Sequence, residues 1–198
     1  MKFITNLLGK KPNNNEKSTS NDEITKFFSW ISGQIQKNNI LFLKELYKNQ
    51  KTFGLKFREN EALFAIIELN IIGYIYHDFA LFTSDLHEYR AKFNSEFYED
   101  NKRLFLQMNY DFTTDNFNCL IDEIGVLLRN EDISTLSSRI LFTLRNNTPV
   151  GKHEMLLSTN GLQNALLEPF IIEHTIECMK HAKRFVNSIQ QEHKNNKD

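Results

Sequence analysis

Two stretches of the chain bring metal-ligating side chains together at spacings that metal sites use. The first is DFTTDNFNCLID, residues 111–122, which follows the template of a calcium-binding loop. A hard cation needs several oxygens around it, so this template places oxygen donors at its positions 1, 3, 5 and 12. The matching residues are Asp111, Thr113, Asp115 and Asp122, with Asn116 in place of the turn-forming glycine.

The same residues also suit the start of a helix. Position 12 holds Asp122 rather than the longer glutamate that reaches calcium with both oxygens, and no second loop of this kind follows. Threonine and aspartate are preferred N-caps, because their side-chain oxygens accept hydrogen bonds from the first backbone N–H groups of a helix. We therefore interpret the stretch as a turn between helices, in which Thr114 or Asp115 caps the helix that follows.

The second stretch is EHTIECMKHAKRF, residues 173–185. His174, Cys178 and His181 stand at positions i, i+4 and i+7 of a predicted helix, so they share one face on which nitrogen and sulfur donors could bind zinc. A fourth ligand would come from Cys119 or His153. Neither cysteine belongs to a paired-cysteine motif, however, and a helix this rich in charged residues readily carries histidines on its solvated side. We predict structural or surface roles for the three residues.

Cationic and aromatic residues alternate in KELYKNQKTFGLKFR, residues 44–58. Lysine and arginine bind phosphates and aromatic rings stack on bases, so this mixture is typical of single-stranded nucleic-acid binding. Lys44, Lys48 and Lys51 also lie on one side of a predicted helix, opposite its apolar residues, as on an ordinary exposed face. We adopt the second interpretation, and nucleic acid is not among the expected partners.

The composition predicts an all-α fold. Seventeen phenylalanines and 40% apolar residues can build the core of one domain in a chain of 198 residues. The chain holds only 7 Gly and 3 Pro for tight turns, and Val, which favours strands, occurs only three times. Apolar residues recur at helical spacing in successive segments, which predicts a single-domain bundle of about seven helices.

Apolar periodicity and helix-stop residues give the expected boundaries. A first helix runs from Asp22 to Lys37, and a second contains Ile40 and Tyr47 and closes near Gly54. The segment from Ala62 to Ile75 is apolar nearly all round, which is typical of a central helix surrounded by others. A fourth helix is expected to start at Ser84 or Asp85, with a break near Asp100. The next two are expected at Phe117–Asn130 and Ile133–Leu144, and the last is expected to begin at Pro169.

Residues 1–21 are expected to be a mobile segment, because their linker is polar, rich in asparagine and serine, and has too few apolar groups to offset the entropy lost on ordering. Residues 22–193 form the predicted helical domain, and residues 194–198 a frayed tail. Within residues 1–8, a short apolar stripe could dock on the core, a partner or a membrane surface. The stripe consists of Phe3, Ile4, Leu7 and Leu8.

The expected location is the cytoplasm. The start of the chain breaks its short apolar run at Thr5 and Asn6, so it lacks the continuous stretch and cleavage site of a secretory signal. Cys119 and Cys178 are then expected to be reduced thiols. Apart from the N-terminal stripe, no membrane contact is predicted.

Charge is distributed unevenly along the chain. Residues 61–132 hold 14 acidic against 5 basic side chains, whereas residues 1–60 hold 5 acidic against 11 basic. An acidic surface attracts cationic partners. No local signature of a nucleophilic enzyme such as Gly-x-Ser-x-Gly occurs, and we assign no catalytic, metal-binding or cofactor-binding residue and no cofactor. The prediction is a non-catalytic protein-binding module that masks a basic partner, as a bacterial immunity or antitoxin protein does.

The alternative is a helical ligand-binding or enzymatic domain whose site is assembled from residues distant in sequence. A deep pocket with converging polar groups favours this alternative, whereas a broad acidic surface without such a pocket favours the protein-binding module. A third outcome is that Lys44, Lys48, Lys51 and Arg58 fold back on the acidic region and cancel its field.

Overall fold

The all-α class is confirmed by a computed structural model that describes residues 20–56, 63–107, 113–146 and 161–195. Within these ranges the chain forms α-helices joined by turns, and no strand occurs there. The helices are α1 (Ser20–Lys48), α2 (Leu63–Phe82), α3 (Arg90–Gln107), α4 (Thr114–Arg129), α5 (Ile133–Asn146) and α6 (Gly161–Asn195), with a short 3₁₀ turn at His87–Tyr89 before α3. The predictions for residues 1–19 and 196–198 lie outside the described residues.

The described ranges contain six α-helices rather than the predicted seven, because the first two predicted helices are one. No glycine or proline separates Lys37 from Ile40, and Asn39 between them is only 1% exposed and hydrogen-bonded inside the core. The expected stop is present. α1 ends at Lys48, and Gly54 closes the turn that follows with φ of 61°, a conformation that glycine adopts without steric cost.

Two predicted helix starts are wrong. α6 begins at Gly161 and carries Pro169 inside it, where the missing proline N–H leaves the carbonyl of Ala165 without its helical donor. Ala165 is exposed, so water can satisfy that carbonyl. Ser84 does not cap α3: its hydroxyl donates to the carbonyl of Leu81 and accepts from the N–H of Leu86, which closes the end of α2 instead.

α3 also differs from its predicted course, since it continues through Asp100 to Gln107 without a break. The predicted ends of the next two helices are close to the observed ones. Asn130 is the C-cap of α4, and α5 begins at Ile133 as expected. The N-cap of α4 is Thr113, one residue before the predicted candidates, and its hydroxyl accepts from the N–H of Asn116 at 3.2 Å.

α2 is the central helix, and it contacts each of the other five. By length and composition alone, Phe64–Phe82 could cross a membrane, but neighbouring helices bury 67% of that window. Three polar residues of α2, namely Glu68, Asn70 and His77, are also buried, and each has a hydrogen-bonding partner on another helix. The helix is therefore enclosed by protein on several sides.

Gly73 allows α1 and α2 to approach each other closely. A Cβ atom at this position would lie 2.6 Å from Cγ2 of Ile35, which belongs to a branched side chain with little rotational freedom. Gly33, by contrast, is exposed on α1 and would have no atom within 4 Å of an added Cβ.

We expect Gly73→Ala to lower the free energy of unfolding by about 1–3 kcal/mol, because the overlap with Ile35 must be relieved by moving α1. Gly33→Ala is the matched control and should raise stability by up to about 1 kcal/mol, since alanine has the higher helix propensity. Urea denaturation followed by circular dichroism measures both. Equal effects of the two changes would contradict the close approach.

A buried ion-pair cluster joins α2, α4 and α5. Nε of Arg139 donates to Glu68 at 2.7 Å and its NH1 donates to Glu123 at 2.8 Å, while the Thr143 hydroxyl donates to the second oxygen of Glu68 at 3.0 Å. Burial raises the pKa of Glu68, and the Arg139 guanidinium opposes this rise. The cluster depends on Arg139, because it is the cation that both carboxylates contact.

Arg139→Met should lower the free energy of unfolding by about 3–5 kcal/mol, because it leaves Glu68 buried without a counter-charge. The comparison is Arg103→Met, which removes the exposed partner of Asp100 and should cost less than about 1 kcal/mol. Chemical denaturation at pH 7 gives both values. A loss for Arg139→Met no larger than that for Arg103→Met would show that Glu68 is not held by this pair.

Candidate functional site

A groove of about 530 Å³ lies between α1 and α6, with α2 as its floor. The two walls run antiparallel, since Phe42 stacks on His174 at 4.4 Å and Phe27 stacks on Phe185 at 5.8 Å. Gly73 and His77 line the floor. A groove of this size between helices is suited to a small organic molecule.

The three residues predicted as one face of the last helix all line this groove. His174 is 6% exposed, Cys178 is 9% exposed, and His181 is half-buried. Of the two roles predicted for these residues, structural or surface, the burial of His174 and Cys178 does not fit a solvated surface. The same spacing that aligns these residues also places them beside the apolar residues Ile171 and Phe185, which direct the face inward.

His174 and Cys178 form one contact pair within the groove wall. Sγ of Cys178 lies 3.7 Å from Nε2 of His174, within reach of a weak hydrogen bond. Burial lowers the pKa of His174 to about 4 and raises the pKa of the Cys178 thiol to about 12. Both groups are therefore neutral at pH 7, and Cys178 is not an activated nucleophile.

His181 pairs with His77 of α2 rather than with its neighbours on α6. Nδ1 of His77 lies 2.7 Å from the carbonyl oxygen of Gly73, and Nε2 lies 2.9 Å from Nδ1 of His181. Burial lowers the pKa of His77 to about 3, and burial followed by the charge of Arg184 lowers the pKa of His181. Both rings are therefore neutral at pH 7.

The Gly73 carbonyl determines where the protons of this pair are. A carbonyl can only accept, so Nδ1 of His77 carries the proton and its Nε2 is an acceptor. Nδ1 of His181 must then donate to that acceptor. This leaves Nε2 of His181 as an unprotonated acceptor, with no hydrogen-bond partner among the residues that the structure describes.

A second chain of hydrogen bonds crosses the core to the opposite wall. Nδ2 of Asn101 donates to the carbonyl of Phe97 at 2.8 Å, Nδ2 of Asn70 donates to Asn101 at 2.8 Å, and Nδ2 of Asn39 donates to Asn70 at 2.6 Å. Oδ1 of Asn39 is buried without a partner, and Asn39 lines the groove. Nδ2 of Asn39 is used by Asn70 in the core, so Oδ1 is the polar atom of this lining residue that remains without a partner.

Carboxylates line the mouth of the groove. Glu45 on α1 and Glu173 and Glu177 on α6 are exposed there, and Glu177 also pairs with Lys180 at 2.6 Å. Arg184 is the cation among the lining residues, and it lies one helical turn beyond His181. Because Lys48 also pairs with Glu45, the end near Phe42 keeps only a small excess of negative charge, and Arg184 makes the opposite end cationic.

Neither candidate metal constellation is brought together in the described part of the chain, where no group of three or more ligating side chains suits a metal ion. Cys119 is exposed on α4, away from the groove, and His153 lies outside the described residues. Asp111 of the calcium-like stretch also lies outside them. Asp115 and Asp122 are both exposed on the continuous helix α4, which cannot wrap around an ion as a loop does.

The basic and aromatic segment does not present its rings together. Phe53 is 2% exposed and packs edge-on against Phe170 at 4.9 Å, so it is not available to stack on a base. Lys48 pairs with Glu45 on the same helix. Phe57 and Arg58 lie outside the described residues.

A smaller cavity of about 380 Å³ lies between α2 and α4. Four charged residues line it, namely Asp78, Arg90, Asp122 and Arg129. Asp78 and Arg90 bind each other through two hydrogen bonds of 2.8 and 2.7 Å, and Arg90 also lies over the ring of Phe82.

Sequence reasoning did not identify His77, Gly73 or Asn39 as parts of a site. Periodicity is a property of one helix, whereas these residues meet the α6 histidines only through packing between helices. One signal was present. Polar residues inside a nearly all-apolar helix must find partners, and His77 is such a residue on α2.

Over the described residues, the fold and the groove define an all-helical protein with an open cleft that is built from three helices and lined by both apolar and polar side chains. No protein-family model, curated protein or solved structure matches the chain.

The proton positions in the groove are directly measurable. Long-range proton–nitrogen NMR spectra should show both His77 and His181 as Nδ1–H tautomers at pH 7. In His77→Gln, the new side-chain carbonyl can still accept from His181, so its tautomer should persist. In His77→Leu no acceptor remains, and His181 should become a mixture of tautomers. An Nε2–H tautomer of His181 in the unsubstituted protein would refute the assignment.

Proposed function

We propose that this protein is a helical ligand-binding domain that holds a small polar molecule in the groove between α1, α2 and α6. The observation that supports the proposal is that two unused acceptors, Oδ1 of Asn39 and Nε2 of His181, both belong to residues that line one cavity. Buried polar groups are normally hydrogen-bonded, so unused ones at a cavity are suited to a ligand.

The groove favours this proposal over the protein-masking module expected from charge alone. Part of the acidic excess of residues 61–132 is neutralised inside the protein, because Glu68 and Glu123 bind Arg139, which lies outside that segment. A partner would therefore feel less of the negative charge than the sequence count indicates. Exposed carboxylates such as Asp115 and Asp122 remain for an acidic surface, and an immunity-type role stays the competing proposal.

The groove chemistry supports non-covalent binding. The Cys178 thiol keeps its proton at pH 7, so it does not provide a nucleophile. Nε2 of His181 can accept a hydrogen bond from a ligand, and a pKa below the ordinary histidine value keeps that nitrogen unprotonated near neutral pH. Ile35 and Phe42 supply apolar surface beside these polar groups.

Protein-observed NMR with a panel of small amines, alcohols, carboxylates and sugars at millimolar concentration tests the proposal. Compounds that bind should shift the signals of Asn39, Cys178 and His181. Asn38→Trp fills the groove from its exposed wall and should abolish these shifts. Lys37→Trp is the matched control, because Lys37 is exposed beside Asn38 and does not line the groove, so it should retain them.

Two outcomes would overturn the proposal. The first is that no compound of the panel moves the groove signals. The second is that Asn38→Trp and Lys37→Trp bind equally well, which would place binding elsewhere. Either result, together with salt-sensitive capture of a basic protein through the exposed carboxylates, would favour the immunity-type role.

A further inference from the structure

Two hydrogen-bonded chains start at backbone carbonyls in the core and end at the groove. One runs from Gly73 through His77 to His181, and the other runs from Phe97 through two asparagines to Asn39. A backbone carbonyl offers no proton, so every later member of each chain must donate backward. Both chains therefore end in an acceptor, and the groove requires hydrogen-bond donors from its ligand.

The charged groups around the groove indicate where a ligand's positive charge would lie. Glu45, Glu173 and Glu177 line the same mouth, while Arg184 lies on the far side of His181 from Asn39. Lys48 and Lys180 offset part of the charge of Glu45 and Glu177, and the negative charge that remains at the Asn39 end attracts a cation there. Arg184 repels a cation from the His181 end. The remaining titratable groups that face the cavity, His77, His174 and Cys178, are neutral at pH 7.

The antiparallel helices also give the distance between the two acceptors along the groove. Phe42 is level with His174, so Asn39, three residues earlier on α1, is level with a position near Glu177 on α6. His181 lies four residues beyond Glu177, which corresponds to about 6 Å at the helical rise of about 1.5 Å per residue. The apolar side chains Ile35 and Phe42 line the same space.

We infer that the groove binds an organic cation that carries an ammonium group and, offset from it by about 6 Å along the groove, a neutral donor such as a hydroxyl group. The ammonium group donates to Oδ1 of Asn39 near the carboxylates, and the hydroxyl group donates to Nε2 of His181. Methylene groups between them pack on the apolar lining. This inference rests on the proposed function, since it specifies the ligand class of the same groove.

Four probes of equal chain length separate the parts of this inference. 4-Amino-1-butanol carries both groups, butylamine lacks the hydroxyl, 1,4-butanediol lacks the charge, and 4-hydroxybutanoate reverses it. NMR titration should give 4-amino-1-butanol the lowest Kd. Butylamine and the diol should bind about two- to tenfold more weakly, which is the range expected for one hydrogen bond. 4-Hydroxybutanoate should bind most weakly.

Protein variants then assign each ligand group to its acceptor. His181→Phe should remove the advantage of 4-amino-1-butanol over butylamine, while butylamine itself still binds and so reports an intact groove. Glu45→Gln with Glu173→Gln should weaken both amines by about two- to tenfold and leave the diol unchanged. Glu99→Gln is the control, because Glu99 is an exposed carboxylate on α3 that does not line the groove.

The results distinguish failure of this inference from failure of the proposed function. If the diol or 4-hydroxybutanoate shifts the NMR signals of the groove residues and the amines do not, the ammonium assignment is overturned. Ligand binding in the groove would still stand. An unchanged preference for 4-amino-1-butanol in His181→Phe would overturn the role of His181. The absence of groove shifts with all four probes would overturn the ligand class, and the wider panel then decides whether the groove binds any ligand.

Discussion

The arrangement of the helices depends on the polar groups of one otherwise apolar helix. Glu68, Asn70 and His77 lie within α2, and each is satisfied by a different neighbour: Glu68 by α5, Asn70 by α1 and α3, and His77 by α6. Apolar packing alone is non-directional, whereas an unpaired buried polar group costs about 1–3 kcal/mol. These contacts therefore specify which helix lies on which side of α2.

The same requirement explains why two hydrogen-bonded chains of the described core end in free acceptors at the groove. Within the core, each chain of hydrogen bonds begins at a backbone carbonyl, that of Phe97 or that of Gly73. Each asparagine or histidine that follows donates to the member before it and so needs a donor for its own acceptor. The chain can stop only where a ligand or water supplies a donor. The free acceptor at the end of each chain is therefore a consequence of the hydrogen bonds that join α2 to its neighbours. The chemistry of the groove follows from the packing of this central helix.

The sequence predicted the helical class well because periodic apolar residues report on each helix separately. It predicted α5 and the end of α4 because strong local signals, such as Asn130 after the last periodic residue, mark them. It failed at Pro169 and at the junction of the first two predicted helices, where tertiary packing outweighs local preference. The site needed long-range information, since His77 and His181 are separated by 104 positions and meet only in the folded chain.

The uneven charge distribution has a different meaning in the folded protein than in the sequence. Among the described acids of the middle segment, the most deeply buried is Glu68, and the cation that neutralises it is Arg139 from α5 rather than a lysine of the basic N-terminal part. Some acidic residues thus serve to join helices, and they exert little field outside. The carboxylates at the groove mouth, Glu45, Glu173 and Glu177, belong to α1 and α6 and lie outside that acidic segment. The local charge that would recognise a ligand is therefore created by folding, from segments whose own net charges are not acidic.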